Sequence, residues 1–245
     1  MATDKAVILI IGVGDGLGSA LARAFAADGY AVCMTRRARH LPELQALADS
    51  LRAAGGEAHA YGVDARDEAE MVSLFETVER DIGPLAVMVF NIGANVRFPI
   101  RDTTTRVFHK VWEMACFAGF LAGREAAKHM APRQSGTILF TGATASLRGR
   151  DGFSAFAAAK AGLRAVAQSM ARELGPLGVH VAHIVIDGPM DGTFIREVRP
   201  DAQTLVDADA ILNPEDVAKA YLALVKQPRS AWTHELDLRP WSEAW

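Results

Sequence analysis

Two patterns of hydrophobic and polar positions alternate along most of the chain. From Lys5 to Gly188, short apolar runs rich in β-branched residues alternate with longer segments in which apolar residues recur every three or four positions. The short runs predict buried strands, and the longer segments predict amphipathic helices. Repeated βαβ units have this alternation, so we predict an α/β fold with a doubly wound parallel sheet of about seven strands and helices on both faces.

The predicted elements extend to the end of the sequence. We predict strands at 6–11, 30–35, 58–62, 85–90, 137–141, 179–186 and 235–238, and helical segments at 17–25, 41–51, 71–78, 154–174 and 214–224. The last helix has Asn213 as its N-cap and Pro214 at its first position. We expect one domain over 1–245, in which the polar segment 190–212 forms a lid.

Composition and charge narrow the classes of function. The chain is 50% hydrophobic and 22% charged, with a net charge of -3. No apolar run is long enough to span a bilayer, and the charge gives no attraction to nucleic acid, so we expect neither a membrane nor a nucleic-acid partner. Cys33 and Cys116 lack metal-ligand spacing, and the histidines form no metal motif. We therefore expect a cytoplasmic protein without a metal site or a catalytic cysteine.

A glycine motif follows the first predicted strand. Gly12, Gly16 and Gly18 have the spacing G-x-x-x-G-x-G and lead into an amphipathic helix. Glycines in this setting allow a tight turn and let backbone N–H groups approach a pyrophosphate, which the positive end of the helix dipole favours. The strand, turn and helix together predict a Rossmann-like nucleotide site.

This motif resembles the Thr-Gly-x-x-x-Gly-x-Gly of the short-chain dehydrogenase/reductases, with Ile11 in place of the threonine. Further matches are Asp64 to the aspartate that binds the adenine amino group, and Phe90-Asn91-Ile92-Gly93 to the signature after the fourth strand. Asp187-Gly188-Pro189 matches the signature near the nicotinamide, where Thr193 is placed to donate to the carboxamide or a phosphate. The resemblance and the glycine motif give these expected cofactor-binding residues: Gly12, Gly16, Leu17, Gly18, Asp64, Asn91, Gly93, Lys160, Gly188 and Thr193.

The end of the second predicted strand indicates which dinucleotide binds. It reads Met34-Thr35-Arg36-Arg37, without the acidic residue that would bind the two ribose hydroxyls of NAD. Arg36 lies where NADP-preferring members of the resembled family carry a basic residue, and a guanidinium binds phosphate in a bidentate manner. We predict NADP(H) as the cofactor, with Arg36 and Arg37 at its 2′-phosphate.

The resemblance also locates the catalytic positions, where most of the family's polar groups are absent. A tyrosine four residues before a lysine is the family's proton donor or acceptor, and this chain has Phe156 before Lys160. The family serine corresponds to Ala143, with Thr144 beside it, and the family asparagine corresponds to Ala115. Lys160 is left to hold the ribose, and Thr144 is a candidate to polarise a substrate carbonyl. We name Lys160, Thr144 and Phe156 as the catalytic positions, with Phe156 that of the missing tyrosine.

Three functions remain open after these observations. One is an NADP(H)-dependent oxidoreductase of a carbonyl, alcohol or enoyl substrate, and the second is a catalytically silent NADP(H)-binding sensor or assembly protein. The third is an enoyl- or dienoyl-thioester reductase, whose chemistry does not need the tyrosine. Arginines that could meet a phosphate-bearing carrier are Arg97, Arg101, Arg148 and Arg150. The long alanine-rich helix also predicts a homodimer or homotetramer.

Overall fold

The computed structural model describes residues 3–243, apart from the side chain of Phe194. Its seven strands form one sheet in the order β3-β2-β1-β4-β5-β6-β7, and every neighbouring pair is parallel. The strands are β1 Val7–Ile11, β2 Ala31–Arg36, β3 Glu57–Gly62, β4 Leu85–Phe90, β5 Gly136–Thr141, β6 Val179–Ile186 and β7 Glu235–Leu238. The predicted parallel sheet of about seven strands is therefore confirmed, with strand bounds that differ from the predictions by at most one residue.

Nine α-helices lie within the described residues. They are α1 Leu17–Ala27, α2 Leu41–Ala53, α3 Glu68–Thr77, α4 Thr105–Trp112, α5 Ala118–Arg133, α6 Ser154–Leu174, α7 Thr193–Val198, α8 Ala202–Asp207 and α9 Pro214–Val225. Wide π-helical turns at Val78–Ile82 and Glu113–Phe117 extend α3 and join α4 to α5. No helix among residues 3–243 is long and apolar enough to cross a membrane.

Alternate residues of the central strands supply two hydrophobic cores, one on each face of the sheet. Leu9, Met88 and Phe140 point to the face covered by α3, α5 and α6. The residues that alternate with these along the strands, such as Ile10 and Val89, point to the face covered by α1, α2 and α9. This period of two explains why the central strands read as continuously apolar, whereas β3, at an edge, is mostly half-buried.

The order of the strands creates a crevice between β1 and β4. The chain leaves β1 toward β2 on one side and returns to β4 on the other, so the carboxyl ends of β1 and β4 lie side by side. Asn91 follows β4, and its backbone N–H donates to the carbonyl of Ile11 over 2.8 Å. Open α/β sheets bind ligands at such a switch point, outside the carboxyl ends of the strands.

The segment predicted as a lid, 190–212, contains the short helices α7 and α8. Met190 and Leu212 form an isolated parallel bridge that closes the base of the segment, and α7 and α8 lie between them. Asn213 caps α9 as predicted, since its side chain accepts a hydrogen bond from the backbone N–H of Glu215 over 2.8 Å. Local hydrogen bonds therefore organise a stretch whose polar composition indicated only a loop.

Candidate functional site

The loop after β1 is shaped by two glycines that no larger residue could replace without movement. Gly12 has a φ of +94°, and a Cβ there would lie 2.7 Å from Cγ1 of Ile92. A Cβ on Gly18 would lie 2.7 Å from the Cα of Val13 and 2.9 Å from the carbonyl oxygen of Gly12. The side chain of Asn91 also donates to the Gly12 carbonyl over 3.0 Å. The predicted motif thus holds a tight loop against β4, at the mouth of α1.

A cleft joins this loop to the carboxyl ends of β2 and β3. Its lining includes four of the predicted cofactor-binding residues, Gly12, Arg36, Arg37 and Asp64. Gly16, Leu17 and Gly18 form the start of α1 beside it, with the Leu17 side chain buried in the core. The structure therefore brings the glycine loop after β1 and the pair Arg36 and Arg37 into one cleft.

The guanidinium groups of Arg36 and Arg37 make no hydrogen bond or ion pair to any residue that the structure describes. Burial lowers the pKa of Arg37, and the neighbouring charge of Arg39 lowers it further. A guanidinium binds carboxylate or phosphate strongly, and adjacent cations repel each other. The two side chains therefore provide positive charge in the cleft that is available to an anion.

Arg66 is a third arginine of the cleft, and it was not among the residues predicted from the sequence to lie there. Its Nε and Nη2 donate to the two carboxylate oxygens of Asp64 over 2.9 Å and 2.5 Å. These hydrogen bonds are the largest cause of the lowered pKa of Asp64. The carboxylate predicted to bind adenine thus also fixes a guanidinium. The spacing Asp64-Ala65-Arg66 was the only sequence feature that could have indicated this pairing, and such a spacing does not by itself identify a binding site.

Thr193 lies beside the loop after β1. Its side chain is close enough to Asp15 to be the largest cause of the lowered pKa of that carboxyl. This places the start of α7 against the predicted phosphate site. Gly188 lies at the base of the same segment, where a Cβ would come within 2.8 Å of Pro240. Gly93, which follows β4, is exposed.

Lys160 is buried beneath the crevice. Its exposed fraction is 2%, and its Nζ donates to the carbonyl of Ile92 over 3.0 Å and to that of Thr141 over 2.8 Å. Burial lowers the pKa of Lys160 to about 7, which the nearby Cys116 opposes. Desolvation disfavours the charged form of an amine. Since Ile92 lines the cleft, the amine lies directly behind its wall.

The positions matched to the family's polar catalytic groups come together as an apolar cluster. Phe156 and Ala115 are buried with Val111, Cys116, Ala155 and Ala159, and we call this group the Phe156 cluster. Ala143 packs against it. Phe156, Ala115 and Ala143 therefore pack together, and their side chains carry no hydrogen-bonding group.

Thr144 and Asp187 form a polar pair beside that cluster. The Thr144 hydroxyl donates to Oδ1 of Asp187 over 2.7 Å, and Asp187 is fully buried. While this bond holds, the hydroxyl proton is not available to a substrate carbonyl.

His183 is also fully buried, with Nδ1 3.2 Å from Glu235, and burial lowers the pKa of His183 to about 4. His183 is therefore a neutral side chain of the core.

Other buried groups add no metal or thiol chemistry to this arrangement. Residues 3–243 contain no group of three or more histidine, cysteine, aspartate or glutamate side chains that could hold a metal ion. Burial raises the pKa of Cys33 to about 12 and also raises that of Cys116. Both thiols are therefore protonated at neutral pH.

Comparison with known proteins agrees with the fold and identifies the family. The family model described as short chain dehydrogenase matches residues 6–203. The chain belongs to the short-chain dehydrogenase family. Members of this family are oxidoreductases. The match covers the glycine loop, the cleft and Lys160.

Individual relatives match over nearly the whole chain. A crystal structure of a short-chain dehydrogenase from Rhodopseudomonas palustris is 47% identical, covers 96% of this chain and 99% of that chain, and superposes with a TM-score of 0.82. The 3-oxoacyl-[acyl-carrier-protein] reductase MabA of Mycobacterium tuberculosis is 28% identical, covering 91% of this chain and 86% of MabA. A variant of the actinorhodin polyketide ketoreductase, solved with NADPH, is 23% identical, covers 98% of each chain and has a TM-score of 0.86, which shows a shared fold.

Proposed function

We propose that this protein is an NADP(H)-dependent oxidoreductase acting on a carbonyl, alcohol or enoyl substrate. The observation that carries the proposal is the cleft in which the unpartnered Arg36 and Arg37 lie next to the loop of Gly12. An anionic group with both a pyrophosphate and a further phosphate suits this distribution of backbone N–H groups and guanidinium groups. A bound nicotinamide cofactor supplies hydride chemistry that side chains cannot.

Each remaining predicted residue has a role in this proposal. Lys160 holds the cofactor's ribose from behind the crevice, Asp64 binds the adenine edge, and Asn91 supports the Gly12 turn. Backbone groups of Gly16, Leu17 and Gly18 bind phosphate, and Gly93 and Gly188 let the cofactor approach the main chain. Thr193 moves from Asp15 to the cofactor when the segment 190–212 closes as a lid over the single domain.

Arg36→Ala and Arg37→Ala are each expected to weaken NADPH binding by about 10- to 100-fold without changing the affinity for NADH. A hydrogen bond to a charged group contributes about 1.5–3 kcal/mol, and 1.4 kcal/mol corresponds to a factor of ten. NADH lacks the 2′-phosphate, so it loses no such contact. The measurement is fluorescence titration of both reduced dinucleotides, with Arg39→Ala as the control because Arg39 is exposed and bonds His40. Equal losses for NADPH and NADH would contradict the assignment.

The oxidoreductase proposal is tested by turnover. The purified chain is mixed with NADPH and a panel of ketones, quinones and enoyl thioesters, and loss of NADPH absorbance is followed. We expect oxidation that depends on one substrate class. Tight NADPH binding with uniform inactivity would reject the enzyme and support the second candidate, a silent NADP(H)-binding sensor or assembly protein. The Phe156 cluster favours that candidate, because losing a general acid typically costs 10²- to 10⁴-fold in rate.

We also propose a homodimer or homotetramer assembled through α6. Ala158, Ala161, Ala165 and Ser169 form an exposed stripe of small side chains along this helix. Trp112 and Phe120, on the neighbouring helices α4 and α5, are also exposed. Small residues let helices pack closely, and exposed aromatic groups gain from burial at an interface.

Ala161→Glu is expected to convert the oligomer to monomers, because a carboxylate at a close helix crossing would be buried without a partner. Light scattering after size exclusion measures the mass, and Lys219→Glu on the exposed face of α9 is the control. A monomeric wild-type chain at micromolar concentration would contradict the proposal.

We also propose a cytoplasmic location, which the two free and buried cysteines support.

A further inference from the structure

A buried carboxylate holds an arginine beside the positions of the missing catalytic groups. Asp187, directly after β6, accepts hydrogen bonds from Nη2 of Arg148 at Oδ1 over 2.9 Å and at Oδ2 over 3.0 Å. Arg239 lies 3.4 Å from Oδ2. Burial raises the pKa of Asp187, but the hydrogen bonds from Thr144 and Arg148 lower it overall. The carboxylate is therefore charged, and it fixes Arg148 in place.

Arg148 is also within reach of a ligand. Its side chain is 34% exposed, whereas Asp187 is fully buried, so a ligand can reach the pair from the Arg148 side. Arg148 follows the turn Thr144–Ser146, and its backbone N–H donates to the Thr144 carbonyl over 3.1 Å. The side chains of Thr144 and Arg148 share Oδ1 of Asp187, and Thr144 is next to Ala143, which packs against the Phe156 cluster, so the guanidinium lies near the predicted substrate position.

Two polar groups near this position, the Thr144 hydroxyl and the Lys160 amine, are already engaged. The Thr144 hydroxyl donates to Asp187, and the Lys160 amine donates to two backbone carbonyls with only 2% of the residue exposed. Ala115, Ala143 and Phe156 carry no donor. Arg148 makes its two side-chain hydrogen bonds through Nη2, so its other N–H groups can serve a substrate.

We propose that Arg148, held by Asp187, stabilises the negative charge that develops on the substrate oxygen, and that the substrate is an α,β-unsaturated carbonyl compound. This inference rests on the proposed NADP(H)-dependent activity. A guanidinium stays protonated, so it stabilises an oxyanion without protonating it. Ketone reduction needs a proton on oxygen, which the missing tyrosine would supply. Reduction of a conjugated double bond produces an enolate, whose carbon can take the proton from water.

The reaction balances without a further reactant. The substrate's β-carbon accepts a hydride from the reduced nicotinamide, which becomes oxidised. The π electrons of the double bond move toward the carbonyl, whose oxygen becomes negative beside Arg148. The α-carbon then takes a proton from water, and the carbonyl re-forms. The net change is addition of one hydride and one proton across the carbon–carbon double bond.

The test compares wild type and Arg148→Ala with NADPH and three probes: 2-cyclohexen-1-one, crotonyl-coenzyme A and, as the saturated ketone, cyclohexanone. We expect wild type to reduce the unsaturated probes in preference to cyclohexanone. Arg148→Ala should lose about 10²- to 10³-fold in kcat, as when one oxyanion donor is removed. Guanidinium chloride should restore part of this rate, and NADPH affinity should not change. The control is Arg164→Ala, since Arg164 is 33% exposed and also pairs with a carboxylate, that of Glu235.

A second measurement does not depend on turnover. 4-Nitrophenol should bind the NADP⁺ complex of wild type as its phenolate. The ionised fraction of the bound probe is read from its visible absorbance. In Arg148→Ala this fraction should be smaller than in wild type. The inference is overturned, with the proposed function intact, if Arg148→Ala keeps wild-type rates and the phenolate signal. It is also overturned if wild type binds NADPH but prefers cyclohexanone or reduces neither unsaturated probe. Absence of NADPH binding would instead reject the proposed function itself.

Discussion

The double variant Ala143→Ser/Phe156→Tyr is expected to reduce cyclohexanone with NADPH at least about 100-fold faster than the wild-type chain. A positioned general acid contributes about 10²- to 10⁴-fold in rate, and the substitutions place a phenol and a hydroxyl where this chain has apolar groups. Phe156 lies one helical turn before Lys160, so the amine would be close enough to lower the pKa of the new phenol. The measurement is the initial rate of NADPH oxidation at saturating cofactor.

Ala143→Ser alone is the control for this prediction, because it adds a hydroxyl without a general acid. It should leave the ketone rate near that of wild type. A folded double variant that binds NADPH normally but gains no ketone reduction would show that the ring of Phe156 does not face the substrate. The unsaturated probes should respond little to either variant, since their reduction does not need a proton on oxygen.

Raising the pH from 7 to 9 is expected to stabilise the wild-type chain by about 2 kcal/mol relative to Lys160→Met. Burial lowers the pKa of Lys160 to about 7, whereas an unfolded lysine has a pKa near 10.4. Between these values the unfolded chain binds more protons than the folded chain, so the free energy of unfolding rises with pH. Below the folded pKa both states carry the proton, and the cost of burying the charge is present in full.

The measurement is the free energy of unfolding of both proteins by urea at pH 7, 8 and 9. Methionine matches the length and apolar character of the lysine side chain without a titrating group. Subtracting the two profiles removes the contributions of other groups, such as Cys33, whose raised pKa lowers the free energy of unfolding as the pH rises above about 8.5, the pKa of an unfolded cysteine. Parallel profiles would mean that Lys160 is solvated in the folded chain. The proposed cofactor would stabilise the folded state by binding to it, so the unfolding measurements are done without NADPH.

Much of the fold followed from the sequence, because the periodicity that defines each element is local. Helix α6, strand β4, strand β6 and strand β7 have the predicted bounds. The alternation of apolar runs with amphipathic segments was sufficient for a parallel sheet covered on both faces. The sequence also predicted Gly12 and Arg36 to lie at one site, and both line the same cleft, because a glycine motif after a strand has one location in such a sheet.

Tertiary structure decided the partners of the polar side chains that pair over long distances in the sequence. The sequence marks Asp187 only as a neighbour of Gly188, and its pairing with Arg148 joins residues 39 positions apart. Lys160 was expected at the ribose, but its carbonyl acceptors on Ile92 and Thr141 depend on how α6 packs against the sheet. Hydrophobic periodicity specifies which face of an element is buried. It does not specify which charged groups meet where the ends of several strands converge. Those contacts depend on register, side-chain direction and burial together.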